Sequence, residues 1–353
     1  MILNKEKLKP DFSLTSLKIV YKDYFPIGNI IDSTYMEEPY FSLLKHHYSI
    51  LSPGNNLKPE YLAPNEKGGA YKWERADNMV NTALENGFKI FGHTLVWHRQ
   101  TPAWMTQGSA CEVKTNLQNY ITEVLKHFKG RVHAWDVVNE AFNDDLSDVT
   151  ETTDWKNCLR NTYRPDLAPW HKVLGADYIE FAFRTAREAD PDITLYYNDY
   201  NMNVYNKARA VANMVKDINT RYKAETRGNR NLIEGVGLQS HYQIPFVTVE
   251  QVKTSIDMFI DLGVEIAISE LDIRMVQYEE GECKDSVMTT ADAQTQAEFF
   301  FGLFELYKSK AEYISHVTMW GMDDGNSWLS IGNPCLFDRY LNAKPAFHAI
   351  AKK

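Results

Sequence analysis

Residues 264–274 read VEIAISELDIR, and residues 133–142 read HAWDVVNEAF. Each is a near-continuous apolar run of strand length that ends in carboxylates: Glu270 and Asp272 in the first, Glu140 in the second. Apolar residues at consecutive positions, rather than at alternate ones, fit a strand buried on both faces. Such a strand needs helices packed on it, which places the chain in the α/β class.

Moving outward from these two stretches, similar runs occur at 25–31, 48–51, 89–95, 132–138, 193–197, 232–238, 264–268 and 314–320. Helical patterns separate them. Within 175–190, Ile179, Ala182, Phe183 and Ala186 fall on one helix face before Pro191 ends the segment. Segments 116–129 and 291–308 read the same way, the first stopping at Gly130. Eight strand–helix alternations predict an α/β fold with one (β/α)8 TIM barrel, its site at the C-terminal ends of the strands. An open doubly wound sheet is the alternative, weakened because the chain has no glycine-rich dinucleotide or P-loop motif. Residues 1–12 read as an extension and 13–353 as the barrel domain.

Charge and composition narrow the partners. Net charge is −9, which argues against nucleic acid or an anionic membrane surface. No apolar run is long enough to span a bilayer, so no membrane insertion is expected. Cys111, Cys158, Cys283 and Cys335 lack metal-site spacing and read as reduced thiols, with one bridge as the alternative. Aromatic residues make up 13% of the chain, enough to furnish platforms for flat, partly apolar ligands such as sugar rings.

Polar residues recur at the strand ends. The third offers His93, Trp97, His98 and Gln100; the fifth Asn198, Asp199, Tyr200 and Asn201; the sixth Gln239 and His241; the eighth Trp320 and Trp328. Strand periodicity points Gln239 and His241 to one side, and Glu270 and Asp272 likewise. Asp272 is then expected to orient His241, and His241 to hydrogen-bond Glu270, keeping it ionised as a nucleophile requires.

These motifs resemble glycoside hydrolase family 10, the retaining endo-β-1,4-xylanases. The likeness runs from about residue 13 to 350 through NNLKPE, GHTLVWH, WDVVNEAF, YYNDYN, GLQSHY, SELDIR, WGMDDGNSW, PCLFD and KPAFHAI. It implies Glu140 as general acid/base and Glu270 as nucleophile, with Asn139, His241 and Asp272 in support. Substrate contacts are implied for Asn55, Lys58, His93, Trp97, Gln100, Tyr200, Gln239, Trp320 and Trp328. Xylan and xylo-oligosaccharides follow as partners, with no cofactor and no metal. A monomer is expected, and a polymeric substrate implies a secreted, periplasmic or cell-surface location, although no signal segment is visible.

Two departures stand out. Gly54 occupies a position where many family members carry Glu, which puts one contact to the second sugar in question, and Asn56 blurs the register there. The loop after Glu140 is long, and reads either as a shaper of the aglycone side or as a surface insertion. Three rival functions remain: a metal-dependent barrel enzyme using His93, His98, His241, Glu270 and Asp272, a non-catalytic glycan-binding protein, and a related retaining hydrolase of β-glucan.

Overall fold

The structure is a computed structural model that describes residues 8–160, 168–275 and 288–352. Eight parallel strands form its centre: β1 (Ile27–Ile31), β2 (Ile50–Pro53), β3 (Lys89–Gly92), β4 (Ala134–Asn139), β5 (Thr194–Asp199), β6 (Gly235–Leu238), β7 (Glu265–Met275) and β8 (Ile314–Met319). Each pairs with the next in parallel, and β8 pairs with both β7 and β1, for example Val317 with Ile27. The sheet is closed, so the chain is a (β/α)8 barrel and the open doubly wound alternative falls. Two short strands, Val96–Trp97 and His241–Ile244, extend the mouth by pairing with β4 and β7.

Ring contacts fill the barrel axis. Phe91 packs on Tyr196 (5.2 Å) and on His316 (4.6 Å), and the three close the interior well below the mouth. Gly235 makes room for Tyr196: a β-carbon there would lie 2.1 Å from the tyrosine ring. The larger core lies between strands and helices, where runs such as Val236, Ile266 and Ile268 meet Ile218, Ile256 and Phe259.

Most elements lie within about three residues of the sequence reading, and two differ by more. The helix expected at 116–129 spans Ala110–Phe128, because Ser109 and Glu112 form a capping box that starts it earlier. The strand expected at 264–268 continues to Met275, since Ser269, Glu270 and Asp272 are buried in the barrel mouth instead of leaving the sheet. Cys158 and Cys335 are buried and Cys111 exposed, all three unpaired; Cys283 lies outside the described residues. Among the described residues no helix is long and apolar enough to cross a membrane.

Candidate active site

A cleft of about 760 Å³ opens at the C-terminal ends of the strands. It is lined by Asn55, Lys58, His93, Trp97, Gln100, Asn139, Glu140, Tyr200, Gln239, His241, Glu270, Trp320 and Trp328. Of the residues given a role by the resemblance, only Asp272 lies outside the lining, behind His241; of the other strand-end residues, Asn201 lines the cleft and His98, Asn198 and Asp199 do not. Strand geometry explains the convergence: residues at the ends of different strands face one mouth.

Glu270, near the middle of β7, is buried. Its Oε1 accepts a hydrogen bond from Asn198 Nδ2 (2.8 Å), and its Oε2 lies 3.3 Å from His241 Nε2. His93 Nδ1 is 3.8 Å from Oε1. Burial alone would push this carboxyl up, but the charge of His93 and the bonds from His241 and Asn198 outweigh it and hold the group at about 2. His241 Nδ1 lies 2.9 Å from Asp272 Oδ2, and the same oxygen accepts Trp328 Nε1–H at 2.9 Å. Burial pushes the His241 ring down, but Asp272 and Glu270 raise it to about 10, so the imidazolium sits between two carboxylates.

Glu140 meets the opposite environment. It follows β4 with φ 57°, a left-handed backbone that residues with a β-carbon seldom adopt. Its N–H donates to Asn198 O (2.9 Å), and the next N–H donates to Tyr197 Oη (2.9 Å), which fixes the turn. Its carboxyl oxygens accept from Trp97 Nε1 (2.8 Å) and Gln239 Nε2 (3.0 Å). Burial pushes the carboxyl up, and the charges of Asp199 and Glu270 add to that against the bonds from Gln239 and Trp97, so Glu140 holds its proton more readily than a solvated glutamate does. His98 Nε2 is 3.9 Å away, its ring driven down to about 3 by burial and by Arg160 and Arg99.

A chain of amides joins the two glutamates. Gln239 Nε2 binds both Glu140 Oε1 and Asn139 Oδ1 (3.1 Å), and Asn198 Nδ2 binds both Asn139 Oδ1 (3.0 Å) and Glu270 Oε1. Asn139 therefore spends its oxygen on the protein. Its Nδ2 is buried without a partner, a donor left for a ligand.

On one flank, Lys58 Nζ binds Asn55 Oδ1 (3.2 Å) and Gln100 Oε1 (2.9 Å) and lies over the Trp97 ring. On another, Tyr200 Oη donates to Asp144 Oδ2 (2.5 Å) and accepts from Arg160 Nη2 (2.7 Å), with Lys207 Nζ 3.8 Å above its ring. Asp144 and Arg160 belong to the long segment after Glu140. That segment is tied back onto the site: Arg160 Nε also donates to Glu140 O (3.3 Å). Trp320 packs edge-on against His93, whereas Trp328 is 63% exposed and offers a ring to the cleft.

Sequence reasoning left Asn198 and Asp136 without roles. Asp136, in β4, faces into the barrel and holds His93 at 2.9 Å; burial lifts its carboxyl to about 6. Both residues lie in strands at positions whose partners come from other strands, so spacing along the chain gave no sign of the contacts. Among the described residues no group of three or more His, Cys, Asp or Glu side chains is disposed to hold a metal ion.

Comparison with known proteins agrees with this geometry. The sequence model of "Glycosyl hydrolase family 10" matches residues 16–353. A β-1,4-xylanase of Dictyoglomus thermophilum is 36% identical over 356 residues, covering 99% of this chain and 93% of that protein. Against four longer relatives the chain spans only 28–32% of their length. Among solved structures, a termite-gut GH10 xylanase containing a bacterial Ig-like domain superposes with TM-score 0.87 at 39% identity, covering 98% of this chain and 78% of that one. A mutant of the intracellular xylanase TsXylA of Thermoanaerobacterium saccharolyticum, complexed with xylotriose, superposes with TM-score 0.83 at 34% identity, covering 97% of this chain and 100% of that one. The chain is a glycoside hydrolase and belongs to glycosyl hydrolase family 10.

Proposed function

We propose that the chain is an endo-β-1,4-xylanase, cleaving internal bonds of xylan and xylo-oligosaccharides with retention at the anomeric carbon. The observation that carries this reading is the placement of Glu140 and Glu270 in one open cleft, joined through the amides of Gln239, Asn139 and Asn198, with surroundings that raise the pKa of the first and lower that of the second. Glu140, protonated, gives its proton to the glycosidic oxygen as that bond breaks. Glu270, ionised, attacks the anomeric carbon as positive charge develops there, forming a glycosyl ester. Esterification removes the negative charge of Glu270, and Glu140, now a carboxylate, takes a proton from the attacking water. Water's oxygen bonds the anomeric carbon, the ester breaks, and both glutamates return to their starting states.

The unpartnered Asn139 Nδ2 is suited to the hydroxyl beside the reacting carbon, where its bond strengthens as charge develops. Trp97 and Gln239 steady Glu140 in both protonation states. Asn55, Lys58 and Gln100 form a polar flank for the glycone sugars, and Tyr200 with Trp328 supplies rings for stacking. The Dictyoglomus relative and the two structural neighbours described above are xylanases, which favours xylan over β-glucan, although one of the four longer relatives is named an exoglucanase. Export is supported by the size of a polymeric substrate, whereas uptake of short xylo-oligosaccharides would allow the intracellular setting of the Thermoanaerobacterium neighbour; cell fractionation separates the two. A monomer remains our expectation, to be read from sedimentation.

The reading is tested by Glu270→Ala on xylan. Turnover is expected to fall at least about 10⁴-fold with folding retained; near-native turnover would refute the assignment.

A further inference from the structure

One wall of the cleft is built from the ends of β1 and β2. Their register pairs Ile31 with Pro53, and Gly54 N–H donates to Ile31 O at 3.0 Å, so Asp32 and Gly54 sit side by side. Both face the cleft, together with Ile30, Tyr35 and Asn55. Gly54 offers no side chain, and the space above it is already taken: a β-carbon there would lie 2.5 Å from Ile30 Cδ1 and 2.9 Å from Ile30 Cγ1. The charged group on this wall is therefore Asp32, carried by the neighbouring strand.

Asp32 is held in place, because its Oδ1 accepts the N–H of Tyr35 at 3.0 Å. Among the described residues no Lys, Arg or His pairs with it. Burial pushes its carboxyl up while the N–H groups of Tyr35 and Thr34 pull it down. A carboxylate has about four acceptor positions, and one without a cationic partner at the edge of a cleft retains capacity for hydroxyl donors. Contacts lead outward from the reacting centre to this wall: Glu140 binds Trp97, Trp97 carries Lys58, Lys58 binds Asn55, and Asn55 follows Gly54.

We propose that Asp32 is a specificity-determining residue, its carboxylate accepting hydrogen bonds from hydroxyls of the second glycone sugar from the scissile bond. The proposal rests on the xylanase reading above. The carboxylate comes from the residue that follows β1, beside the glycine that follows β2, and Ile30 gives the sugar an apolar floor beside it. A substrate with one glycone sugar does not reach Asp32; one with two does.

The test compares an aryl β-xyloside with the matching aryl β-1,4-xylobioside, using Asp32→Asn and Asp32→Ala. The ratio of the two kcat/KM values cancels any loss of folded enzyme. It is expected to fall about 10- to 100-fold in both variants, the loss of hydrogen bonds to a charged group. A ratio within about twofold of the parent value overturns the proposal. A parent enzyme that cleaves neither xylobioside nor xylan overturns the xylanase reading itself, a different outcome from an active enzyme with an unchanged ratio.

Discussion

Asn198 Nδ2 lies 2.8 Å from Glu270 Oε1 and is the only amide nitrogen among the described residues that donates to that carboxylate. The orientation is enforced from the other end, where Ser269 Oγ–H donates to Asn198 Oδ1 at 2.7 Å. Gly237 leaves the space for it, since a β-carbon there would lie 2.3 Å from Asn198 Oδ1. The amide thus presents its N–H side to the carboxylate.

Replacing Asn198 by Ala removes a donor that favours the ionised form of Glu270 and fixes its rotamer. We expect kcat on xylo-oligosaccharides to fall about 10²- to 10³-fold, as when one preorganised donor is lost. The acidic limb of the pH profile should move to higher pH, because Glu270 is then easier to protonate. Steady-state kinetics between pH 3 and 9 checks both; an unshifted acidic limb would separate Asn198 from Glu270 ionisation.

Gln239 sets the other limb. Its N–H stabilises the Glu140 carboxylate, so Gln239→Leu should raise the Glu140 pKa further. The alkaline limb of kcat/KM is then expected to move to higher pH by about one to two units, the contribution of one hydrogen bond to a charged group. A limb that moved to lower pH would contradict the role given to this contact.

Several of these contacts could not be read along the chain, for a physical reason. The apolar runs gave the eight strands because burial on both faces is written into consecutive residues. Glu140 and Glu270 were legible because each follows such a run. His241 and Asp272 were legible because both pairs obey strand alternation, and the pairing of their strands, His241 opposite Asp272, completes the contact. Asn198, Asp136 and Asp32 are different. Each is a polar residue whose partner or exposed side comes from a neighbouring strand or from the cleft, and only the closed barrel brings those together. The extension of β7 through Met275 has the same origin, since the polar residues that seemed to end the strand are paired inside the mouth.

The two glutamates should affect stability in opposite directions. Glu270 titrates at about 2 in the folded chain, below its ordinary value of 4.5. Its ionised form therefore stabilises the fold above about pH 4.5, and that contribution is lost as pH falls toward 2. Glu140 is raised, so its ionisation costs stability as pH rises through its folded value. Glu270→Gln is expected to destabilise by about 3 kcal/mol at pH 7 and by clearly less at pH 3. Glu140→Gln is expected to leave stability unchanged at low pH and to increase it above the Glu140 pKa. Denaturant unfolding at pH 3, 7 and 9 measures both, and equal effects at all three values would contradict the charge assignment.

The covalent step is the centre of the account. A 2-deoxy-2-fluoro aryl xylobioside slows formation and hydrolysis of the glycosyl ester, while its good leaving group favours formation, so the ester accumulates. Mass spectrometry of the treated and digested protein should find one fluoroxylobiosyl group on the peptide containing Glu270, and none after Glu270→Gln. A label on Glu140, or turnover of xylan with no label on any carboxylate, would contradict a retaining mechanism with Glu270 as nucleophile.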